Sequence, residues 1–483
     1  MSRPTTSFPP RTLFMLWLVL LSSRLECCRG FFFGFSTVDL CQEGSGGCRC
    51  SPHLTQFQEK GMDCRGANLA TLPEDLKLPE GATRADFSRN NLTFLYRATF
   101  TTPSPTLLVL DLSDNRLGGL EGGGLVGLGV LQQLLLSNNA INDLDVEAFK
   151  GLGNLTTLDL SYNQLTEIPD QLLAPLSSLQ HLNLGFNPIP SLNSSLLDRL
   201  PNLRRLDLSR LGIGTIDTEL FSSNVSLEWL SLSHNLISVV PTSALSHLSD
   251  TLTYLDLSGN PITSLGGYSF SSLINVKTLV LEQMLKLRTI EAYAFGDLRS
   301  LDTVILRYMP KIESVDPKAF HSLEEDGKDV ALTIQDFTFS FSVLSTLPST
   351  LLPWSSLKFV SLEYNHWTCD CNMLWVKNSS LMTKLEDRLV CSRPMRLRGH
   401  RLRRIPDEEF TCGVEPSVST NATVGFLVVV MLAGLCASLA TVSLLVYYKR
   451  GWVCWRPQGA YTHIQRGAST ITIEEEMVGT SEA

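Results

Sequence analysis

The sequence predicts an α/β solenoid. Near-identical turns line their strands up as a concave parallel sheet, a disulfide cap closes each end, and one transmembrane helix follows. Three observations predict it. The pattern Leu-x-x-Leu-x-Leu-x-x-Asn-x-Leu recurs between about Asp86 and Asn365. Eight of the 12 cysteines fall in two groups of four that bracket it. An uncharged stretch of 25 residues lies beyond the second group.

The clearest copies are Leu107–Leu117, Leu131–Ile141, Leu155–Leu165 and Leu179–Ile189. Measured at the asparagine place, copies stand at 90, 115, 139, 163, 187, 211, 235, 260 and 284, a step of 24 or 25. That period with that pattern is the signal of a leucine-rich-repeat horseshoe. About twelve repeats fill residues 82–366. The Leu-x-Leu segment alternates at period two, so each copy starts as a short strand with one buried face. The asparagine amide can both donate to and accept from backbone groups of adjacent turns that burial would otherwise leave unpaired. A second apolar column follows ten or eleven residues later: Phe100, Leu125, Phe149, Leu173, Leu197, Phe221, Leu245, Phe270, Phe295 and Phe320. It is expected to fill the outer half of the coil.

Leu211, Met284 and Met309 replace the asparagine, and Phe337 is placed in the same column in LTIQDFTFSF, which gives two steps of 28. Either apolar side chains fill the same space and the turn is rebuilt locally, or the later repeats form a distinct surface. The first is the preferred expectation. Glu324–Asp326 is expected to be a loop.

At the N-terminus, Arg3 and Arg11 precede the apolar run Leu13–Leu21, which reads as a secretory signal over 1–30, with the mature chain starting near Phe31. Val424–Tyr448 is long enough to cross a hydrocarbon core of roughly 30 Å as a helix, and Lys449 and Arg450 follow it, as the positive-inside rule expects. The expectation is a type I single-pass plasma-membrane protein, N-terminus outside, with a stalk at 414–423 and a cytoplasmic tail at 449–483. In the tail, Cys454 between two tryptophans is a lipidation candidate. Tyr461–Ile464 fits a sorting signal, Thr472 before Glu474–Glu476 a kinase site. A tail of 35 residues is too short for a folded signalling domain.

In an oxidising compartment an even cysteine set reads as disulfides. One group, Cys41, Cys48, Cys50 and Cys64, belongs to a cap over 41–80. The other, Cys369, Cys371, Cys391 and Cys412, belongs to a cap over 367–413. Spacing alone leaves three connectivities open in each. Zinc ligation by the two Cys-x-Cys pairs is disfavoured in that compartment, so no metal site is assigned. Together with Leu69–Pro73, and with Trp367 and Trp375 at the far end, these groups resemble the terminal caps of extracellular leucine-rich-repeat proteins such as the small proteoglycans and the Nogo receptor. The resemblance implies the pairs Cys41–Cys50, Cys48–Cys64, Cys369–Cys391 and Cys371–Cys412, and a Trp375 packed over the last repeat. Caps, repeats, membrane helix and tail together resemble type I receptors of the trophoblast-glycoprotein kind, over residues 41 to about 450.

A net charge of −9 and a pI near 5.5 argue against a nucleic-acid partner. No metalloprotease, hydrolase, P-loop or kinase motif occurs, the eight histidines are scattered, and nothing calls for a cofactor. The expectation is therefore binding, not catalysis. A parallel sheet presents side chains at fixed spacing. Among the strand positions the pattern exposes, Asp111, Asp159, Asp207 and Asp256 read as a solvated face. Tyr162, Phe186, Arg205, Arg210, Trp229, His234 and Tyr254 are of the types that carry interface energy. They form the candidate surface for a protein ligand or co-receptor. A scaffold for matrix or neighbouring membrane proteins is the other reading. Sequons at Asn91, Asn154, Asn193, Asn224 and Asn378 lie outside the strand cores; Asn421 sits too near the membrane to be counted. The basic run Arg393–Arg404, with Arg396, Arg398, Arg401, Arg403 and Arg404, is either a cap loop balanced by Asp407–Glu409 or a heparan sulfate contact.

Overall fold

One side-chain amide per turn ties each coil to the one before it. At Asn115, Nδ2 donates to Leu112 O in its own turn (3.0 Å) and to Phe87 O in the preceding one (2.9 Å), while Oδ1 accepts the Leu92 N–H (3.1 Å). Asn90, Asn139, Asn163, Asn187, Asn235 and Asn260 repeat this arrangement. The asparagines therefore satisfy backbone groups in the core where water cannot reach.

The protein is seen in a computed structural model that describes residues 40–41, 47–54, 59–223, 226–324, 326–412 and 429–442. A 14-stranded sheet runs along one side of the coil. It opens with the antiparallel hairpin Arg49–Leu54 and Glu59–Asp63, and every later pair is parallel. The middle strands are Gln133–Leu135, Thr157–Asp159, His181–Asn183, Arg205–Asp207, Trp229–Ser231 and Tyr254–Asp256. Each is three residues long because only one leucine per strand must point inward, with a neighbour on either side facing out. Thr278–Glu282, Thr303–Arg307, Asp336–Ser340 and Phe359–Ser361 follow. The ten residues of the second apolar column are all buried, and Phe270, Phe295 and Phe320 stack ring on ring at 5.6 and 4.3 Å.

The asparagine column needs one correction. Phe337 does not stand in it. It lies inside the strand Asp336–Ser340, buried and in register with Val304. Ser342 takes the column place, its Oγ accepting the Met309 N–H at 3.0 Å. The step there is 33 residues, then 23. The longer turn holds an extra antiparallel hairpin, His321–Leu323 with Asp329–Ala331, around the acidic loop. His321 anchors that hairpin: its Nε2 donates to Thr350 O, and its Nδ1 lies 2.8 Å from Asp329 Oδ1. Leu211, Met284 and Met309 are buried. Beside Leu211 the neighbouring asparagine compensates, since Asn235 Oδ1 accepts from Leu211, Gly212 and Ile213 at 3.0–3.1 Å.

Disulfides join Cys41 to Cys50 and Cys48 to Cys64 at one end, and Cys369 to Cys391 and Cys371 to Cys412 at the other. Trp367 is buried and donates to Leu362 O. Trp375, on the short helix Leu374–Lys377, donates to Leu347 O, and its ring lies 5.4 Å from Trp354. These two indoles cover the last turn.

Residues 413–483 form a unit separate from this body. Within it, 429–442 is helical. The expected span 424–448 extends past it on both sides, outside the described residues. Among the described residues no helix is long and apolar enough to cross a membrane. The signal at 1–30, the stalk at 414–423, Asn224, Asn421 and the tail with Cys454 also lie outside them.

Asn235→Ala is expected to destabilise the body by roughly 3–5 kcal/mol, and Asn163→Ala by about 2–3 kcal/mol, because Asn235 serves two more N–H groups, a buried one at Leu211 and a half-buried one at Gly212. Chemical denaturation of the two variants side by side checks the order.

Candidate binding face

The seven candidate residues lie on two parallel ladders, not one. Arg205, Trp229 and Tyr254 are first residues of adjacent strands and in direct register, with His181 next in line. The Arg205 guanidinium sits 4.5 Å from the Trp229 ring, and Trp229 stacks on Tyr254 at 5.0 Å with an interplanar angle of 12°. Neighbouring strands lie about 4.8 Å apart, so rings in one register place meet at stacking distance without local distortion.

Tyr162, Phe186, Arg210 and His234 are not strand residues. Each precedes the asparagine place, in the turn that ends the strand, and each has a left-handed φ of +53 to +59°. That backbone turns their side chains onto the rim of the sheet. Tyr162 stacks on Phe186 at 3.9 Å, and the Arg210 guanidinium lies 5.2 Å from the Phe186 ring on its other side. Gly259 holds the same place one turn after His234, at φ +69°. A Cβ there would stand 2.8 Å from carbons of the His234 ring, so the glycine makes room for the imidazole.

The aspartates are not a solvated face. Asp111 is buried, and in each case Oδ1 accepts the N–H two residues on, at Ser113, Ser161, Ser209 and Ser258. They fix the turn that presents the rim. Burial raises the Asp256 carboxyl above its usual range, opposed by the hydrogen bonds from Ser258. Burial raises the Tyr254 phenol as well, with Asp256 adding to it. Burial lowers His181 and His234 below the usual imidazole range. Arg205 and Arg204 add to this at His181; Arg210 adds to it at His234, where Asp256 opposes it.

A third ladder escaped the sequence reading. Tyr308, Phe341 and Tyr364 stack at 4.9 and 4.4 Å on the same rim, with Arg307 5.4–5.6 Å from two of the rings. All three have left-handed φ. The signal that finds them is the residue before the column place: Tyr308 and Tyr364 stand there already, and Phe341 joins them once Ser342, not Phe337, is put in the column.

Of the described sequons, Asn154, Asn193 and Asn378 are exposed and Asn91 half-buried, and none lies in a strand. In the basic run, Arg401 and Arg404 each lie 3.3 Å from Asp387, and Arg396 pairs with Glu409. Asp407 pairs with Lys377 instead. Arg398 and Arg403 are exposed and form no ion pair among the described residues. Among the described residues no group of three or more His, Cys, Asp or Glu is placed to hold a metal.

In an NMR titration His181 and His234 are expected to take up their protons below pH 6.5. Because Arg210 disfavours the imidazolium, Arg210→Gln is expected to move the His234 midpoint upward. Gly259→Ala is expected to cost about 2–4 kcal/mol, about 1 kcal/mol from the left-handed φ and the rest from overpacking. In a His234→Ala background only the backbone share should remain, as thermal denaturation of the four proteins would show.

Residues 86–141, 130–189, 201–262 and 250–310 match the leucine rich repeat family. No curated protein matches the chain. Among solved structures, that of the TLR13–ssRNA13 complex is 25% identical with a TM-score of 0.51, covering 71% of this chain and 49% of that one. The Toll–Spatzle complex of Drosophila, in its glycosylated form, is 21% identical with a TM-score of 0.51, covering 71% and 54%. A chain of the octameric complex of Latrophilin 3, Unc5D and FLRT2 is 18% identical with a TM-score of 0.51, covering 76% of this chain and 99% of that one. The chain thus spans about half the length of the TLR13 and Toll chains it matches. The leucine rich repeat model thus matches residues 86–189 and 201–310, and the solved structures share the fold of the coil that these residues help build.

Proposed function

We propose that this chain is a single-pass, type I cell-surface protein that binds a protein partner through the outward face of its sheet, as an adhesion molecule, co-receptor or modulator of signalling. The carrying observation is the pair of ladders in the middle turns. Arg205–Trp229–Tyr254 and Tyr162–Phe186–Arg210 are partly exposed and already stacked before any partner arrives. Interfaces concentrate their energy in Trp, Tyr and Arg, and side chains held in place beforehand lose less entropy on binding.

Other observations support this reading. Four disulfides suit an oxidising compartment. The uncharged stretch 424–448 and the basic pair after it suit a membrane anchor. Glycans at Asn91, Asn154, Asn193 and Asn378 would leave the strands uncovered. The Toll structure holds a protein ligand, Spatzle, and the FLRT2 structure a multi-protein assembly. The TLR13 structure contains single-stranded RNA; a net charge of −9 disfavours such a ligand here.

Proximity labelling on the surface of cells displaying the chain identifies candidate partners. Alanine at Trp229, Tyr162 or Arg210 is then expected to weaken the true partner by about tenfold or more. Unchanged binding in all three variants would remove this face from the proposal.

A further inference from the structure

On the rim, Tyr162, Phe186 and Arg210 line a cavity of about 620 Å³ that spans four turns. It opens where the asparagine column is broken. Leu211 is buried, and Gly212, at φ +86°, has no atom within 4 Å of where a Cβ would stand. The rest of the wall includes the amides of Asn138 and Gln164, and Arg210 is its one charged side chain.

Arg210 is exposed, and no ion pair among the described residues involves it; Arg204, in the same turn, is committed to Glu228 at 2.6 Å. A guanidinium held over a ring uses its face there. Its five N–H donors lie in its plane and remain for other partners. The cavity therefore combines a braced cation, the amide of Gln164 and an aromatic stack, with no carboxylate in its lining; Asn138 donates to Asp114, outside that lining, and Asn139, Asn163 and Asn187 are bonded to backbone.

We propose that this rim cavity takes an acidic side chain, Asp or Glu, from an extended segment of the partner protein. Arg210 supplies the counter-charge in a two-point guanidinium–carboxylate contact, and the Tyr162–Phe186 stack covers the aliphatic part of the same segment. A Lys or Arg in that place would face the like charge of Arg210 with no carboxylate in the lining to offset it. The proposal rests on the reading of this face as partner-binding and adds the chemistry of what docks there.

A random-peptide phage library panned on cells displaying the full chain tests it, with Arg210→Gln and Trp229→Ala as comparison targets. Glutamine is compatible with the backbone, because Gln283 holds the same place in its own turn at φ +53°. Peptides that lose tenfold or more in affinity on Arg210→Gln are expected to contain Asp or Glu. Changing that acid to its amide should cost wild-type binding a similar factor. Arg210-dependent peptides without an acid would overturn the proposal. So would peptides that depend on Trp229 and ignore Arg210, and these would leave the wider reading of the face standing. Peptides indifferent to both variants would sink both.

Discussion

The asparagine amide is the constraint on which the rest depends. It bonds backbone groups in its own turn and in the one before, so it sets both the shape of a turn and the distance to the next. To bring that amide inward, the chain must reverse sharply at the residue before it. Eleven non-glycine residues there, from Arg89 to Tyr364, adopt left-handed φ. Such a backbone costs of order 1 kcal/mol for an L residue. Where an asparagine follows, its hydrogen bonds outweigh that cost; after Arg210, Gln283 and Tyr308 the burial of Leu211, Met284 and Met309 takes that part, and after Phe341 the Ser342 hydroxyl does. A by-product is a column of side chains pushed onto the rim, and three of the aromatic pairs of this protein occupy it.

The same repeat distance that pairs strands also pairs rings. Tyr162–Phe186, Trp229–Tyr254 and Phe341–Tyr364 are separated by 3.9, 5.0 and 4.4 Å. In a globular domain, exposed rings with such spacing would need a dedicated arrangement. Here the backbone period provides it, and only residue choice at one register place is left to vary. Binding capacity can thus be written along the coil without disturbing the core, since the inward leucines and the outward residues never exchange places.

Charge follows the same geometry. The aspartates of Leu-Asp-Leu-Ser point out from the strand but fold back onto the serine N–H two residues later, and so serve the turn before they serve the surface. Arg205 and Arg210 have no such backbone partner and rest on rings instead. In the C-terminal cap the opposite choice is made: Arg396, Arg401 and Arg404 are neutralised by Glu409 and Asp387. The basic run that is conspicuous in the sequence is thereby partly neutralised, with Arg398 and Arg403 left exposed and unpaired among the described residues, as are Arg205 and Arg210 in the middle turns.

By itself, the sequence determined the period, the inward leucines, the buried phenylalanine column and the two cysteine groups, because each is a local pattern tied to one backbone repeat. It also named the residues of the middle patch. It did not separate Arg205, Trp229 and Tyr254 on strands from Tyr162, Phe186, Arg210 and His234 on the rim, since left-handed φ leaves no mark on the identity of a residue that can adopt it under constraint. It misplaced Phe337 because two alternating phenylalanines within a 33-residue step look alike until strand pairing with Val304 chooses between them. The inserted hairpin, the Tyr308–Phe341–Tyr364 ladder and the partner of each arginine were decided only by the tertiary structure. All three depend on which turns lie side by side, and contact across turns follows from register, not from order along the chain.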